Sequence, residues 1–244
     1  MNSAAYLQRR GQLEQYFDRT AVRAWERLTS DAPVSRIRAS VRAGRDRMRQ
    51  AMLDLLPMQL SGRRILDAGC GTGALAQELA GRGAQVLAID LSPTLVELAR
   101  QRTGAAGAAD AAGAAGAAGA ASIEFRTGDM SDPALGEFDH VVAMDSLIHY
   151  EAGDIVRVLA TLAQRTRRSM LFTFAPRTPA LAVLHTIGRV FPRGNRAPSI
   201  APVAEYRLLH RLAGEPLLRD WQVGRAQRIV NGFYTSHVME LAHT

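Results

Sequence analysis

One cysteine, Cys70, stands in 244 residues, and lysine is missing altogether. A lone thiol excludes an intramolecular disulfide framework and a multi-cysteine zinc site, and no other pattern in the chain predicts a resident metal. Aromatic residues make up only 6% and do not interleave with basic ones, which argues against a nucleic-acid surface. No apolar run approaches the roughly 20 residues that a bilayer span requires. The N-terminal arginines are followed by no apolar signal segment. These absences together predict a cytoplasmic protein.

What is present is an ordinary globular composition, 47% hydrophobic and 22% charged. The length suits one domain, or one domain with a cap, and can bury a full core. The formal net charge is +7, and all 30 basic residues are arginine. Together with the Ala/Gly bias this reflects GC-rich coding, yet it has a physical consequence. Arginine forks bind carboxylates and phosphates bidentately, so anionic small molecules, acidic partners or anionic membrane surfaces are favoured.

Periodicity divides the chain. Residues 1–60 read as a helical arm, with Tyr6, Leu7, Leu13, Tyr16, Phe17 and Trp25 at near-helical spacing. A second helix, about 34–56, carries Ile37, Val41, Met48, Met52 and Leu55 on one side, with Arg38, Arg42, Arg45 and Arg49 beside them. From Arg63 onward strands alternate with helices: strands at 63–67, 85–90, 123–126, 138–144 and 169–174, helices at 74–81, from Ser92-Pro93, and at about 154–165. This alternation predicts a doubly wound, mostly parallel sheet. Segments 221–229 and 233–241, joined by Asn231-Gly232, predict two antiparallel strands at the end. Two stretches interrupt the scheme. Residues 103–121 form an Ala/Gly triplet array, expected to be a loop or frayed helix because each helical glycine costs about 1 kcal/mol. Residues 176–202, rich in proline and arginine, predict a cap over the sheet edge or an interfacial helix.

The chemistry is concentrated in Asp67-Ala68-Gly69-Cys70-Gly71-Thr72-Gly73. A strand ends in an acid, and three alternating glycines then let the backbone turn tightly and approach a ligand before a helix begins. Asp90 ends the next strand at the spacing from which an acid reaches ribose hydroxyls. Gly69-x-Gly71-x-x-Ala74 also meets the loose dinucleotide pattern, so a dehydrogenase or a non-catalytic nucleotide module stays open. Asp67, placed to meet a ligand amino group, and Gly128-Asp129-Met130 after the third strand argue against it.

These motifs resemble the class I S-adenosylmethionine-dependent methyltransferases from about Arg63 to the C-terminus. The resemblance implies a Rossmann-like α/β fold, mostly parallel with an antiparallel C-terminal strand, in which residues 61–244 bind S-adenosyl-L-methionine and residues 1–60 cap them. It implies that Asp67, Gly69, Cys70, Gly71 and Gly73 hold the methionine portion, Asp90 with Leu91 the ribose, and Asp129 with Met130 the adenine. Met144 and Asp145 complete that pocket.

Further pieces are similar to the magnesium-protoporphyrin IX O-methyltransferase family of bacteriochlorophyll and chlorophyll synthesis: Tyr16-Phe17 with Trp25, Ile37-Arg38-x-x-Val41-x-x-Gly44, Met144-Asp145-Ser146-Leu147-Ile148-His149-Tyr150, and Phe233-Tyr234. Two features depart from that family: the Ala/Gly array, and Thr29 where an aromatic is expected. The resemblance implies methyl transfer to one propionate of magnesium-protoporphyrin IX. His149 would be the catalytic or substrate-orienting residue, and Tyr16, Arg38 and Tyr150 would be substrate contacts. It also implies a porphyrin-carrying magnesium chelatase subunit as delivery partner and peripheral contact with the intracytoplasmic membrane. A methyltransferase acting on another small acid or on RNA is the competing reading.

Overall fold

A computed structural model describes residues 4–20, 35–110, 121–177 and 200–244. The arm begins with α1 (Ala4–Gln15), runs into a π-helical turn (Tyr16–Thr20), and resumes as α2 (Arg36–Leu55). The sheet domain follows as β1 (Arg64–Ala68), α3 (Ala74–Gly81), β2 (Gln85–Asp90), α4 (Pro93–Asp110), β3 (Ser122–Thr127), β4 (Phe138–Ala143), α5 (Ala152–Ala163), β5 (Thr166–Phe174), α6 (Glu205–Ala213), β6 (Trp221–Asn231) and β7 (Tyr234–His243).

The seven strands lie in the order β3-β2-β1-β4-β5-β7-β6. Strands β1 to β5 pair in parallel, while β7 runs antiparallel to both β5 and β6. The central strands are buried on both faces, as a sheet covered by helices requires. One core layer joins Leu66, Phe138, Phe172 and Phe174 to α5 and α6; the other joins Ile65, Val142 and Leu171 to α2 and α3.

Boundary 60 marks no gap in this core. Tyr6 and Leu13 of α1 share one layer with β4, and Met48, Met52 and Leu53 of α2 share the other. Ile37, expected on the buried side of α2, is 53% exposed. Burial on this helix begins only at Gly44; its first two turns meet the β6–β7 hairpin, where the Ser40 carbonyl accepts from Asn231 Nδ2 at 2.7 Å. At Gly44 a Cβ would come within 2.6 Å of the Tyr234 ring, so the glycine lets α2 lie directly on β7.

Of the two alternatives for the triplet array, the helical one holds at its start: helix α4 continues through Gly104 and Gly107 to Asp110, and the array leaves the described residues at 111. The two C-terminal strands pair antiparallel as expected, and β6, the edge strand, is exposed from Gln222 to Arg228. The cap segment lies outside the described residues from 178 to 199; its flanks are tied by a parallel bridge between Pro176 and Val203.

Gly104 has negative φ and nothing within 4 Å of a Cβ built on it. Gly104→Ala should therefore stabilise the protein by about 0.5–1 kcal/mol, read as a higher urea midpoint. A lower midpoint would show that the helix ends before this residue.

Candidate active site

Strand β1 connects toward β2 on one side, and its other neighbour, β4, belongs to the second half of the sheet. At such a switch point the loops after the strands part and leave a crevice. A cavity of about 320 Å³ opens there, within the size range of small-molecule sites. The loop after β1 and the end of β2 form one wall, with Asp67, Gly69, Cys70, Gly71, Asp90 and Leu91. Helix α2 forms another, with Arg42, Arg45, Asp46 and Arg49. Leu13 and Phe17 from the arm, Gly128 and Met130 after β3, and Met144, Asp145, Ser146, His149 and Tyr150 after β4 close it.

The glycine loop needs its glycines. Gly69, Gly71 and Gly73 have φ of +90°, +54° and +81°, a region that residues with a Cβ rarely enter. A Cβ on Gly69 would also meet Cβ of Ser146 at 2.4 Å. The loop is stitched to β2: Gly69 and Cys70 donate their N–H groups to the Ile89 carbonyl at 2.8 and 3.0 Å. Gly71 N–H donates to Asp90 Oδ2 at 2.9 Å, and Ser92 N–H to Asp90 Oδ1 at 3.0 Å. Those bonds offset part of the burial that raises the Asp90 carboxyl.

Asp67 is the outlier. It is 1% exposed, and among the described residues its Oδ2 has no hydrogen-bond partner. Burial, with the Asp90 charge second, pushes its carboxyl from the ordinary 3.8 up to about 7. Ser146 Oγ, facing the same cavity, is the second buried oxygen there without a partner. An unpaired buried acceptor costs about 1–3 kcal/mol, so the wall is shaped to receive a donor, and a cation best of all. The apolar side chains of Ile89, Leu91, Leu95 and Met130 beside it suit a flat ring. These acceptors and apolar side chains fit the amino group and nucleoside of a nucleotide-like cation.

Asp145, in contrast, is crowded with partners. It is the one non-glycine residue with positive φ among those described, at +54°, a conformation that aspartate tolerates better than most. Arg45 Nη1 donates to Oδ2 at 2.7 Å, and Tyr234 Oη donates at 3.0 Å to Oδ1. Ser236 Oγ lies 3.4 Å away, and the Asp145 N–H donates to Thr173 Oγ1 at 2.7 Å. The carboxylate thus ties α2 to β5 and β7 at the mouth of the cavity.

Most of the expected site residues meet at the cavity, with four exceptions. Gly73 stands behind the lining, where a Cβ would meet Phe125 and Ala99. Asp129 is outside the lining: its carboxylate accepts from Arg10 at 2.8 Å, from the Ser131 N–H at 2.8 Å and from Tyr6 Oη at 3.4 Å, so α1 takes it up, while neighbouring Gly128 and Met130 line the wall. Arg38 is exposed on the first turn of α2. Tyr16 packs edge-on against Phe17, centroids 5.2 Å apart, and only Phe17 reaches the cavity. His149 is buried with its ring edge toward Phe17, centroids 5.9 Å apart, and Tyr150 stacks on Tyr6 at 5.0 Å. His140, by contrast, is a sheet residue bonded to Ser169, its imidazole lowered to about 4 by burial. Residues unforeseen as site residues are Arg45, Ser146, Phe17 and Tyr234. The arginine spacing on α2 was the available signal for the first.

Comparison with known proteins follows the same lines. Residues 143–243 match the family described as "Magnesium-protoporphyrin IX methyltransferase C-terminus", and residues 65–169 match a methyltransferase domain. Magnesium-protoporphyrin O-methyltransferase of Rhodobacter capsulatus is 47% identical over 236 residues, covering 96% of this chain and 97% of that one. The Synechocystis protein of that name is 28% identical over 92% of each chain. The crystal structure of magnesium protoporphyrin IX methyltransferase from Synechocystis PCC 6803 with bound SAH superposes with a TM-score of 0.80 at 27% identity, covering 96% of this chain and 99% of that one.

Gly69→Ala combines a disfavoured φ with the 2.4 Å clash and should cost about 1–3 kcal/mol of stability. Chemical denaturation measures it; an unchanged midpoint would mean that the loop relaxes without loss.

Proposed function

The chain belongs to the magnesium-protoporphyrin O-methyltransferase family, and from that premise we propose how its cavity performs the transfer. The enzyme moves a methyl group from S-adenosyl-L-methionine to a propionate carboxylate of magnesium-protoporphyrin IX, giving the monomethyl ester. The observation that carries the residue assignment is the buried Asp67 oxygen without a partner.

S-adenosyl-L-methionine supplies an electrophilic methyl on a cationic sulfur. Asp67 holds its amino group, the backbone of the 69–73 loop lies against its methionine portion, and Asp90 with Leu91 faces the ribose. Met130 and Gly128 border the adenine. Both Asp90 oxygens accept backbone N–H bonds yet keep lone pairs for hydroxyl donors.

A propionate has a carboxylate-like pKa of about 4.3 and is ionised at neutral pH, so the protein need not remove a proton. Its work is alignment and exclusion of water. Cancelling opposite charges during the transfer is favoured in a site where the carboxylate has lost its hydration, and reacting atoms must be held about 3–3.5 Å apart. His149, buried after β4 beside Phe17, orients the carboxylate. Leu13, Phe17 and Tyr150 form the apolar cover.

Delivery of the porphyrin by the chelatase subunit that carries it belongs to the same reading. So does contact with an anionic membrane surface, supported by the +7 net charge; among the described residues no helix is long and apolar enough to cross a membrane. Product analysis with labelled S-adenosyl-L-methionine and magnesium-protoporphyrin IX tests the whole reading. Absence of ester from a cofactor-binding preparation would overturn it.

Two outcomes are expected at the level of residues. A cation binds ionised Asp67, whose carboxyl sits at about 7 in the ligand-free protein. Cofactor affinity should fall about tenfold per unit below that pH, with proton release on binding. Calorimetry at pH 6 in buffers of differing ionisation enthalpy reads the proton, and Asp67→Asn should abolish it. The same raised value gives the ligand-free protein stability at low pH that is lost as pH rises from about 4 through about 7. At His149, glutamine should retain much more turnover than alanine, since an orienting hydrogen bond survives. Equal losses of about 10²–10⁴-fold in both variants, with a pH-profile limb that disappears on mutation, would establish a general base instead.

A further inference from the structure

The cavity is bipolar. Asp67 and Asp90 stand on the wall formed by β1 and β2, and Arg42, Arg45 and Arg49 stand on the wall formed by α2. Arginines 42, 45 and 49 recur at helical spacing, so one face of α2 presents them to the cavity. They are not equivalent. Arg49 is engaged by Asp46 at 3.0 Å and by Glu78 at 3.4 Å, both of them exposed partners. Arg45 is the most sequestered of the cavity arginines in an ion pair, its side chain 19% exposed against 4% for Asp145.

The Asp145 network fixes the direction of that guanidinium. Tyr234 and Ser236 hold the carboxylate from β7, and Thr173 holds its backbone from β5. An arginine carries five N–H donors in a rigid fork, and the bond to Asp145, one of the contacts that Arg45 makes, engages Nη1. One guanidinium can therefore serve a protein carboxylate and a ligand carboxylate together. A clamped arginine on a cavity wall is a selector for a carboxylate whose position is fixed.

The substrate class named above is a dicarboxylate, and its two carboxylates make opposite demands. The attacking oxygen needs its negative charge, and a charge-assisted hydrogen bond would stabilise it before reaction and lower its nucleophilicity. The carboxylate that does not react has no such penalty. We propose that Arg45, positioned by Asp145 and Tyr234, binds the non-reacting propionate of the porphyrin and thereby selects which propionate meets the methyl group. The assignment rests on the proposed porphyrin reading. It makes Arg45 a substrate-binding residue and Asp145 and Tyr234 positioning residues.

Binding of two porphyrin esters in the presence of S-adenosylhomocysteine tests it without turnover. Magnesium-protoporphyrin monomethyl ester retains only the non-reacting carboxylate, and the dimethyl ester has none. Titration by porphyrin fluorescence should show the wild type preferring the monomethyl ester by about tenfold or more, the scale of one charge-assisted bidentate contact. Arg45→Gln should bind the two esters equally. Arg45→Lys keeps the ion pair with Asp145, and so the fold, but replaces the fork by a point charge; its preference should fall between the two. Tyr234→Phe should reduce the preference and raise KM with a smaller change in kcat, whereas a merely structural tyrosine would lower melting temperature and leave the preference intact. Wild-type preference surviving in folded Arg45→Gln and Arg45→Lys proteins would overturn the assignment. A wild type that binds neither ester and methylates no porphyrin would instead overturn the reading beneath it.

Discussion

Asp67 ends a central strand at 1% exposure with one oxygen unpartnered, and a carboxyl in that position is costly until something cationic reaches it. Much of the surrounding architecture keeps it there. Parallel pairing of β1 with β2 and β4 seals the strand on both edges, and the positive-φ glycines carry the chain away without filling the space in front of it. Stability is thus given up at one point to create affinity at the same point. That is the expected signature of a site built for a charged ligand.

The second carboxylate of the cavity is treated in the opposite way. Asp145 is fully paired, and its partners come from α2, β5 and β7. One aspartate is left hungry and the other is satisfied, only a strand apart. The first keeps an acceptor oxygen without a partner among the described residues; the second sets the position of an arginine. The electrostatic polarity of the cavity follows from this division, with acids at the strand ends and bases on the covering helix.

Helices α1 and α2 are therefore part of the site and not a detachable preface. Leu13 and Phe17 line the cavity, Arg10 and Tyr6 hold Asp129, and Met48 and Met52 fill the core beneath α2. Removing the arm would therefore unseal the cavity itself.

What could be read from the chain alone was whatever local chemistry dictates. Strand–helix alternation, the glycine loop behind Asp67, the acid at Asp90 and the Asn231-Gly232 turn are each specified by neighbours a few residues away, and each lies where the periodicity placed it. At the 103–121 array the pattern left loop and frayed helix both open, and packing decided for helix at its start, because a helix anchored at Leu95, Val96 and Ala99 can carry glycines past its ordinary limit. The choice among arginines on α2 was beyond local reasoning. Arg38 and Arg45 share one helix face, about 1.5 Å of rise per residue separating them along the axis, so selecting Arg45 over Arg38 depends on where along its length the helix crosses the sheet. Likewise Arg45 meets Asp145 across 100 residues, and Asp129 is taken by Arg10 across 119. Local pattern determined which groups the site would need; only the packing of α1 and α2 on the sheet decided which of them would touch.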